Sequence, residues 1–328
     1  MKLCSFEKDG QVRYGVEASD GTVIDLVEAL GAGAPASLEL LIEQAESDPG
    51  LLDRVSSIAA GGGGFPADGL DWRPPVRRPG KILGVAINNR IGQQVAYRPL
   101  ENPAFFLKPA TSLVGHGQPV TVMASHSVVH PEPELAVIIG KGGKNIARQD
   151  ARSHIFGYSI VNDITSPGLK ANDSLELLVP EGVSASYAGD LTWRNVMNEK
   201  HARSIYLTYH AISKGADGYG PFGPWIVTAD DIANPDALQV LAYEDDELVF
   251  EDSTANLVFP VEHIISHISR YMTLEAGDVI HCGTAMKAVA GGKYHMPSEW
   301  DLAKNPGTMK IEIKGIGALI NPVRIQEE

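Results

Sequence analysis

The chain has 328 residues, of which 44% are hydrophobic and 21% charged, with a formal net charge of −14. That size predicts one large domain or two unequal ones, and that charge argues against nucleic acid or an anionic membrane as a partner, since both call for a basic surface. An acidic chain can still enclose a basic pocket for an anionic ligand. The two cysteines, Cys4 and Cys282, make no disulfide framework and suit a reducing, cytoplasmic setting. No apolar leader opens the chain, and no run of about 18 apolar residues is present.

Asp9-Gly10 and Asp20-Gly21 are hairpin signals and predict short strands over the first 30 residues. Helical periodicity follows over Ser37–Ala45 and Leu51–Ala60, with Ser37 as an N-cap. Gly61 to Gly64, and the prolines at 66, 74, 75 and 79, read as a linker: no Lys-Ser/Thr follows the glycines, as a phosphate loop demands. A boundary near residue 75 then divides a small N-terminal α/β domain, 1–75, from a larger domain, 76–328. Strands are predicted over Lys81–Ile87, Ala104–Pro109 and Val120–Met123. A helix is predicted around Asp150–Ile155 and a strand over Gly157–Val161. Residues 166–204 are polar and weakly periodic and read as an insertion or lid. Ile205–Tyr209 is again strand-like, Val261–Tyr271 is an amphipathic helix, and strands are predicted at Val279–Thr284 and Met309–Ile313. With no regular βαβ alternation, the fold class is α+β and β-rich.

The most informative stretch is His130-Pro131-Glu132-Pro133-Glu134, running into Leu135–Ile139 and Gly140. On a strand, residues two apart share a face, so Glu132 and Glu134 project together at the mouth of a buried strand, an end to which Pro131 and Pro133 are expected to deny a ladder partner. Asp163 and Lys214 stand at other element ends. Three carboxylates from two strands can supply three oxygen ligands to Mg²⁺ or Mn²⁺, leaving positions for a 2-oxo acid to chelate through its carboxylate and carbonyl oxygens. The competing chemistries are poorly supported. No His-X-X-X-His pair comes with a suitable acid for zinc, there is no Gly-X-Ser-X-Gly, and no Gly-X-Gly-X-X-Gly follows the first strand.

In that setting the motifs resemble those of the fumarylacetoacetate hydrolase superfamily. They are Glu132-Pro133-Glu134-Leu135-Ala136-Val137-Ile138-Ile139-Gly140-Lys141, Gly157-Tyr158 to Asn162-Asp163, Lys214 to Asp217 followed by Gly223-Pro224-Trp225, Leu274 to Ile280 with Gly283-Thr284, and Gly315 to Leu319. They come in the family's order across residues 80–324. The resemblance implies a mixed β-roll catalytic domain and a smaller N-terminal domain. It implies Mg²⁺ or Mn²⁺ held by Glu132, Glu134 and Asp163, Lys214 as the catalytic or carbonyl-binding lysine, and Gly283 and Thr284 as contacts to the substrate carboxylate. It also implies a homodimer. Arg90, Lys170 and Asp217 are further substrate-binding candidates.

Two departures bear on the reaction. Hydrolytic members carry a His–Glu pair after the first strand to activate water; here those places are Gly92 and Val95. Their Arg-Asp-X-Gln after Asn-Asp reads Pro167-Gly168-Leu169-Lys170, so Lys170 replaces a cation. The Pro-Glu-Pro-Glu run, Gly115-His116-Gly117 and Gly283-Thr284-Ala285 look similar to the branch that dehydrates 2-keto-3-deoxy sugar acids. The leading expectation is hydrolysis of a C–C bond in an acylpyruvate or fumarylacetoacetate-like diketo acid, with His130 or His281 as the base. The alternatives are a lyase, decarboxylase or tautomerase acting on a 2-oxo acid, or a non-catalytic relative that binds metal and ligand.

Overall fold

The alternation along Leu135–Ile139 decides how the molecule is layered. In the computed structural model, which describes residues 1–94, 99–178 and 204–327, this segment lies within the strand Pro133–Ile139, buried along its whole length. Leu135, Val137 and Ile139 enter one hydrophobic core, while Ala136 and Ile138 enter another on the opposite face. Each buried Val, Leu or Ile contributes roughly 1.5–3 kcal/mol of transfer free energy, so a one-residue slip would reverse both faces at large cost. The first core is completed by the helix Val261–Tyr271 and a second sheet; the other is covered by the helices Leu38–Ser47 and Gly50–Gly61.

The main sheet has eleven strands. At its centre Pro133–Ile139 pairs antiparallel with Ile155–Asn162 on one side and with Val279–Thr284 on the other. Val279–Thr284 pairs parallel with Ile82–Ala86, which pairs antiparallel with the edge strand Ala104–Lys108. Beyond Ile155–Asn162 come Gly220–Thr228, then Lys2–Lys8, Gln11–Glu17 and Val23–Asp25. The strand Lys2–Lys8 bonds directly to Gly220–Thr228, so residues on both sides of position 75 share one sheet. A five-stranded sheet, Glu247–Ser253, Gln239–Glu244, Thr308–Ile313, Gly317–Gln326 and Val120–Met123, completes the mixed α+β fold. Among the described residues no helix is long and apolar enough to cross a membrane.

Most expected elements are present within a residue or two. Ser37 caps Leu38–Ser47, its Oγ accepting from Leu40 N at 3.3 Å. Three expectations need correction. The helix around Asp150 is a 3₁₀ segment, Arg148–His154; Ala147 before it has no capping side chain, and Ile155 already belongs to the next strand. The glycine run is not a free linker: Phe65 and Val23 exchange two backbone hydrogen bonds, and Gly63 N and Gly64 N donate to Asp20 and Thr22. A Cβ on Gly64 would lie 2.2 Å from the Val23 carbonyl oxygen, so the close approach demands glycine there. Pro133 is not ladder-free either. It stands opposite Asn162, and its carbonyl accepts from Ala285 N at 2.8 Å. Proline lacks only the donor, and the acceptor is what this central strand uses. Of the expected lid, residues 179–203 lie outside the described residues.

Candidate active site

Strand register brings the acids together. Glu134 pairs with Val161 and Pro133 with Asn162, so Asp163 follows directly beside Glu132, and Asp163 N donates to the Glu132 carbonyl at 2.9 Å. Carboxylate oxygens of Glu132, Glu134 and Asp163 all lie within 4.8 Å of one another. Glu134 and Asp163 are 2% and 1% exposed, which is rare for acids that lack compensation. Thr284 is the cross-strand partner of Glu134 on the other side, after a register shift that follows His281. Its Oγ1 donates to Glu134 Oε1 at 3.0 Å or to Glu132 Oε2 at 3.2 Å. Gly283 N, turned inward by the shift, donates to Glu134 Oε2 at 2.6 Å.

Two ammonium groups face the triad. Lys214, on the short helix Ala211–Gly215, donates to Glu132 at 2.9 Å, Asp163 at 2.7 Å and Thr165 Oγ1 at 2.6 Å, and its Nζ lies 4.9 Å from the Phe106 ring centroid. Lys108, at the end of the edge strand, donates to the other Asp163 oxygen at 2.5 Å and to the Tyr219 carbonyl at 2.8 Å. Its side chain is wholly buried. The local electrostatics follow from burial. Burial and then the neighbouring Asp163 and Glu132 push the Glu134 carboxyl well above its usual range. Burial would do the same to Asp163, but Lys108 and Lys214 hold it well below. Burial pushes Lys108 down, whereas Lys214, gripped by Asp163 and Glu132, ends above its ordinary value despite burial. Three acids against two lysines leave the cluster one positive charge short. An oxygen-only donor set of this size suits a hard divalent cation, and buried Glu134, pushed toward its neutral form, marks where that charge is missing.

Glu132, Asp163 and Lys214 form the floor of a cavity of about 310 Å³, at the small end of ligand pockets, which run roughly 300–1,000 Å³. Val85, Ile87, Gly92, Phe106 and Met286 make an apolar wall; His130, Lys170, His210 and Ser298 supply polar groups. A larger open groove of about 570 Å³, bordered by Met1, Lys141 and Asp231, holds none of these groups.

The expected site residues therefore divide. Glu132, Asp163, Lys214, Thr284, His130 and Lys170 line the cavity, and Glu134 and Gly283 lie directly beneath it in contact with them. His281 does not line it. Its ring is fully buried, with Nδ1 3.8 Å from Asp163 and, among the described residues, no hydrogen-bond partner on either nitrogen, and burial holds it below the usual imidazole range. Arg90, on the short helix Arg90–Gln94, and Asp217 are exposed and outside the cavity wall. Gly92, where hydrolytic relatives carry histidine, lines the cavity; Val95 lies outside the described residues. Neither Lys108 nor His210 is marked as a site residue by the sequence motifs. The only sign of the first was a lysine closing an apolar strand.

A family model described as "Fumarylacetoacetate (FAA) hydrolase C-terminal" matches residues 83–324. The mitochondrial oxaloacetate tautomerase fahd2 of Xenopus laevis is 28% identical, covering 98% of this chain and 90% of its own; human FAHD2A, of the same description, is also 28% identical over 98% of this chain and 91% of its own. Among solved structures, maleylpyruvate hydrolase from Sphingobium sp. SYK-6, in complex with manganese(II) and pyruvate, aligns with a TM-score of 0.69 and 26% identity over 99% of both chains. Fumarylacetoacetate hydrolase from Exiguobacterium antarcticum aligns at 0.71 and 27%, covering 99% of this chain and all of its own. With the motifs in order, the acid triad in place and the family match spanning most of its length, the chain belongs to the fumarylacetoacetate hydrolase family.

Proposed function

We propose that the protein is a divalent-metal-dependent enzyme that interconverts the keto and enol forms of a small 2-oxo acid. The observation that carries this reading is the convergence of three carboxylates, the Lys214 ammonium and the Thr284 hydroxyl at one small cavity, with Glu132 and Asp163 in its floor and Glu134 directly beneath. Glu132, Glu134 and Asp163 are the residues that would hold Mg²⁺ or Mn²⁺. Such an ion supplies positive charge that polarises the substrate carbonyl and offsets charge developing on its oxygen. Lys108, Gly283 and Thr284 orient the carboxylates from behind, as outer partners of a metal site do. Lys214 presents an ammonium at the cavity floor, where it can hold a proton against the substrate's carbonyl oxygen. The apolar wall keeps water from that oxygen and strengthens each charge interaction.

Tautomerisation is preferred because it needs no activated water, and the cavity shows glycine, Gly92, where hydrolytic relatives carry histidine. The 28%-identical relatives described as oxaloacetate tautomerases support the same choice. A second reading, C–C hydrolysis of an acylpyruvate, is favoured by the apolar wall, which suits a longer carbon chain, and by the likeness to maleylpyruvate hydrolase; His130 is then the candidate base at the cavity. Both are tested together. Purified protein with Mg²⁺ or Mn²⁺ is given enol oxaloacetate, with loss of enol absorbance followed, and acetylpyruvate, with pyruvate release followed. Faster enol loss with no pyruvate formed from acetylpyruvate supports tautomerisation; pyruvate and acetate formed from acetylpyruvate replace it with hydrolysis. If neither signal depends on protein and metal, the catalytic reading is wrong.

A further inference from the structure

His210 immediately precedes the helix Ala211–Gly215 and stands one helical turn before Lys214. Its backbone is left-handed, with φ 59° and ψ 14°, which a residue other than glycine adopts only when its surroundings hold it there. A residue at this position commonly caps its helix with its own side chain. Here another residue does so: the Asp173 carboxylate accepts from Ile212 N at 2.7 Å and Ser213 N at 2.5 Å, and the Asp173 carbonyl accepts from Tyr209 N at 3.0 Å. Relieved of capping, the imidazole is turned into the cavity wall. It packs against Phe106 with ring centroids 5.9 Å apart, and the same Phe106 ring carries Lys214 Nζ. His210 and Lys214 therefore flank one aromatic ring and face one ligand space.

The chemistry of the ring can be read from its environment. Nδ1 is buried with no hydrogen-bond partner among the described residues. A buried donor without an acceptor is costlier than a buried lone pair, because an N–H demands a partner, so the neutral ring carries its proton on Nε2. Burial, followed by the charges of Lys214 and Lys170, holds the ring below the usual imidazole range, so at neutral pH it is an uncharged donor. Lys170, exposed at the same cavity, has no ion-pair partner among the described residues.

Building on the proposed function, we infer that His210 selects the substrate: its Nε2–H donates to an oxygen at C4 of a bound 2-oxo acid, while Lys170 supplies the opposing charge. The site thus takes 2-oxo acids that carry a 4-carboxylate or 4-carbonyl in preference to those with a bare carbon chain. A hydrogen bond to a charged acceptor, lost on truncation, corresponds to about a tenfold to hundredfold change in affinity.

The test is binding, so it does not depend on turnover. With Mn²⁺ present, calorimetry measures malate, which has a C4 carboxylate, and oxalate, which has none, on the wild type and on His210→Phe. Phenylalanine keeps the packing on Phe106 and removes the donor. The expected result is malate binding weakened about tenfold or more, with oxalate and Mn²⁺ affinities within twofold of wild type. His210→Gln, which restores an N–H, recovers part of the malate affinity. Unchanged malate binding in His210→Phe overturns the inference and leaves the proposed function standing. Equal loss of malate and oxalate overturns it as well, since the residue then acts on the fold of the site. If the wild type with Mn²⁺ binds neither acid, the proposed function itself fails and the inference falls with it.

Discussion

Asp252 ties the cavity wall to the second sheet, and its removal has a calculable effect. The residue is 4% exposed. Its Oδ2 accepts from Asn89 Nδ2 at 3.1 Å, Met286 N at 2.7 Å and Lys287 N at 3.1 Å, and its Oδ1 accepts from Ser253 N at 2.7 Å and Asn256 Nδ2 at 2.5 Å. Asn89 also donates to the Thr284 carbonyl at 3.1 Å, so one carboxylate holds both loops that flank the triad. Asp252→Ala leaves up to five donors seeking new partners. Each hydrogen bond to a charged group is worth about 1.5–3 kcal/mol; water reaches part of the site and the terms are not additive, so a total near 3–5 kcal/mol is expected. Urea unfolding of the metal-free protein measures it. Asp252→Asn keeps one acceptor oxygen and should fall about midway. The loops also carry Met286 and Thr284, so affinity for malate with Mn²⁺ should drop in both variants, while the three acids, set by strand register, retain Mn²⁺. A loss below about 1 kcal/mol in Asp252→Ala, or Mn²⁺ affinity collapsing together with malate affinity, would refute the reasoning.

Glu134→Gln preserves the shape of a buried ligand but removes its charge, so Mn²⁺ affinity measured by calorimetry should fall a hundredfold or more, with the fold intact by circular dichroism; retained affinity would remove Glu134 from the ligand set. Lys108→Met should destabilise the metal-free protein by about 3 kcal/mol, because it strips a partner from the buried Asp163, and Mn²⁺ should recover more stability in this variant than in wild type, since a positive charge beside the site is gone. His116, in the Gly115–Gly117 turn, accepts at Nδ1 from Ile320 N at 3.2 Å and packs on Trp72 with centroids 5.7 Å apart. Burial holds it below its ordinary value of 6.5. The unfolded chain therefore binds more protons between the folded value and 6.5, and the stability His116 contributes is present above that pH and lost as pH falls below it. Thermal unfolding between pH 7.5 and 5 should show a steeper acid loss in wild type than in His116→Gln; equal slopes would exclude this histidine.

The legible part of the site is the part that local geometry determines. Glu132 and Glu134 sit two apart at the mouth of an apolar run, so strand alternation alone puts them on one face. Asp163 ends the neighbouring strand, and the antiparallel register of buried apolar residues carries it to Glu132. What could not be read depends on contacts between distant segments. Lys108 looks like an ordinary polar residue closing a strand. It becomes part of the site only because the edge strand places it opposite Ile82 and its ammonium reaches Asp163 and the Tyr219 carbonyl. His281 has the place of a candidate base beside Gly283-Thr284, yet it stands opposite Ala136, one strand repeat deeper than Glu134, and its buried ring lies against Asp163 below the cavity, not in its wall.

The same distinction separates the chemistry the family shares from the chemistry peculiar to this chain. The acids, Gly283 and Thr284 are held by the register of three paired strands, and a register shift there would also expose two hydrophobic cores. Selection among substrates can change without that penalty only where the backbone leaves the ladder. Three residues stand in such places: Gly92 on a five-residue helix, Lys170 after the 3₁₀ turn Pro167–Leu169, and His210 in a left-handed conformation that Asp173 stabilises from another segment. All three line the same cavity. On the proposed reading, a mutation in these loops should redirect specificity at small cost to stability, and one in the paired strands should cost the core as well as the acid cluster.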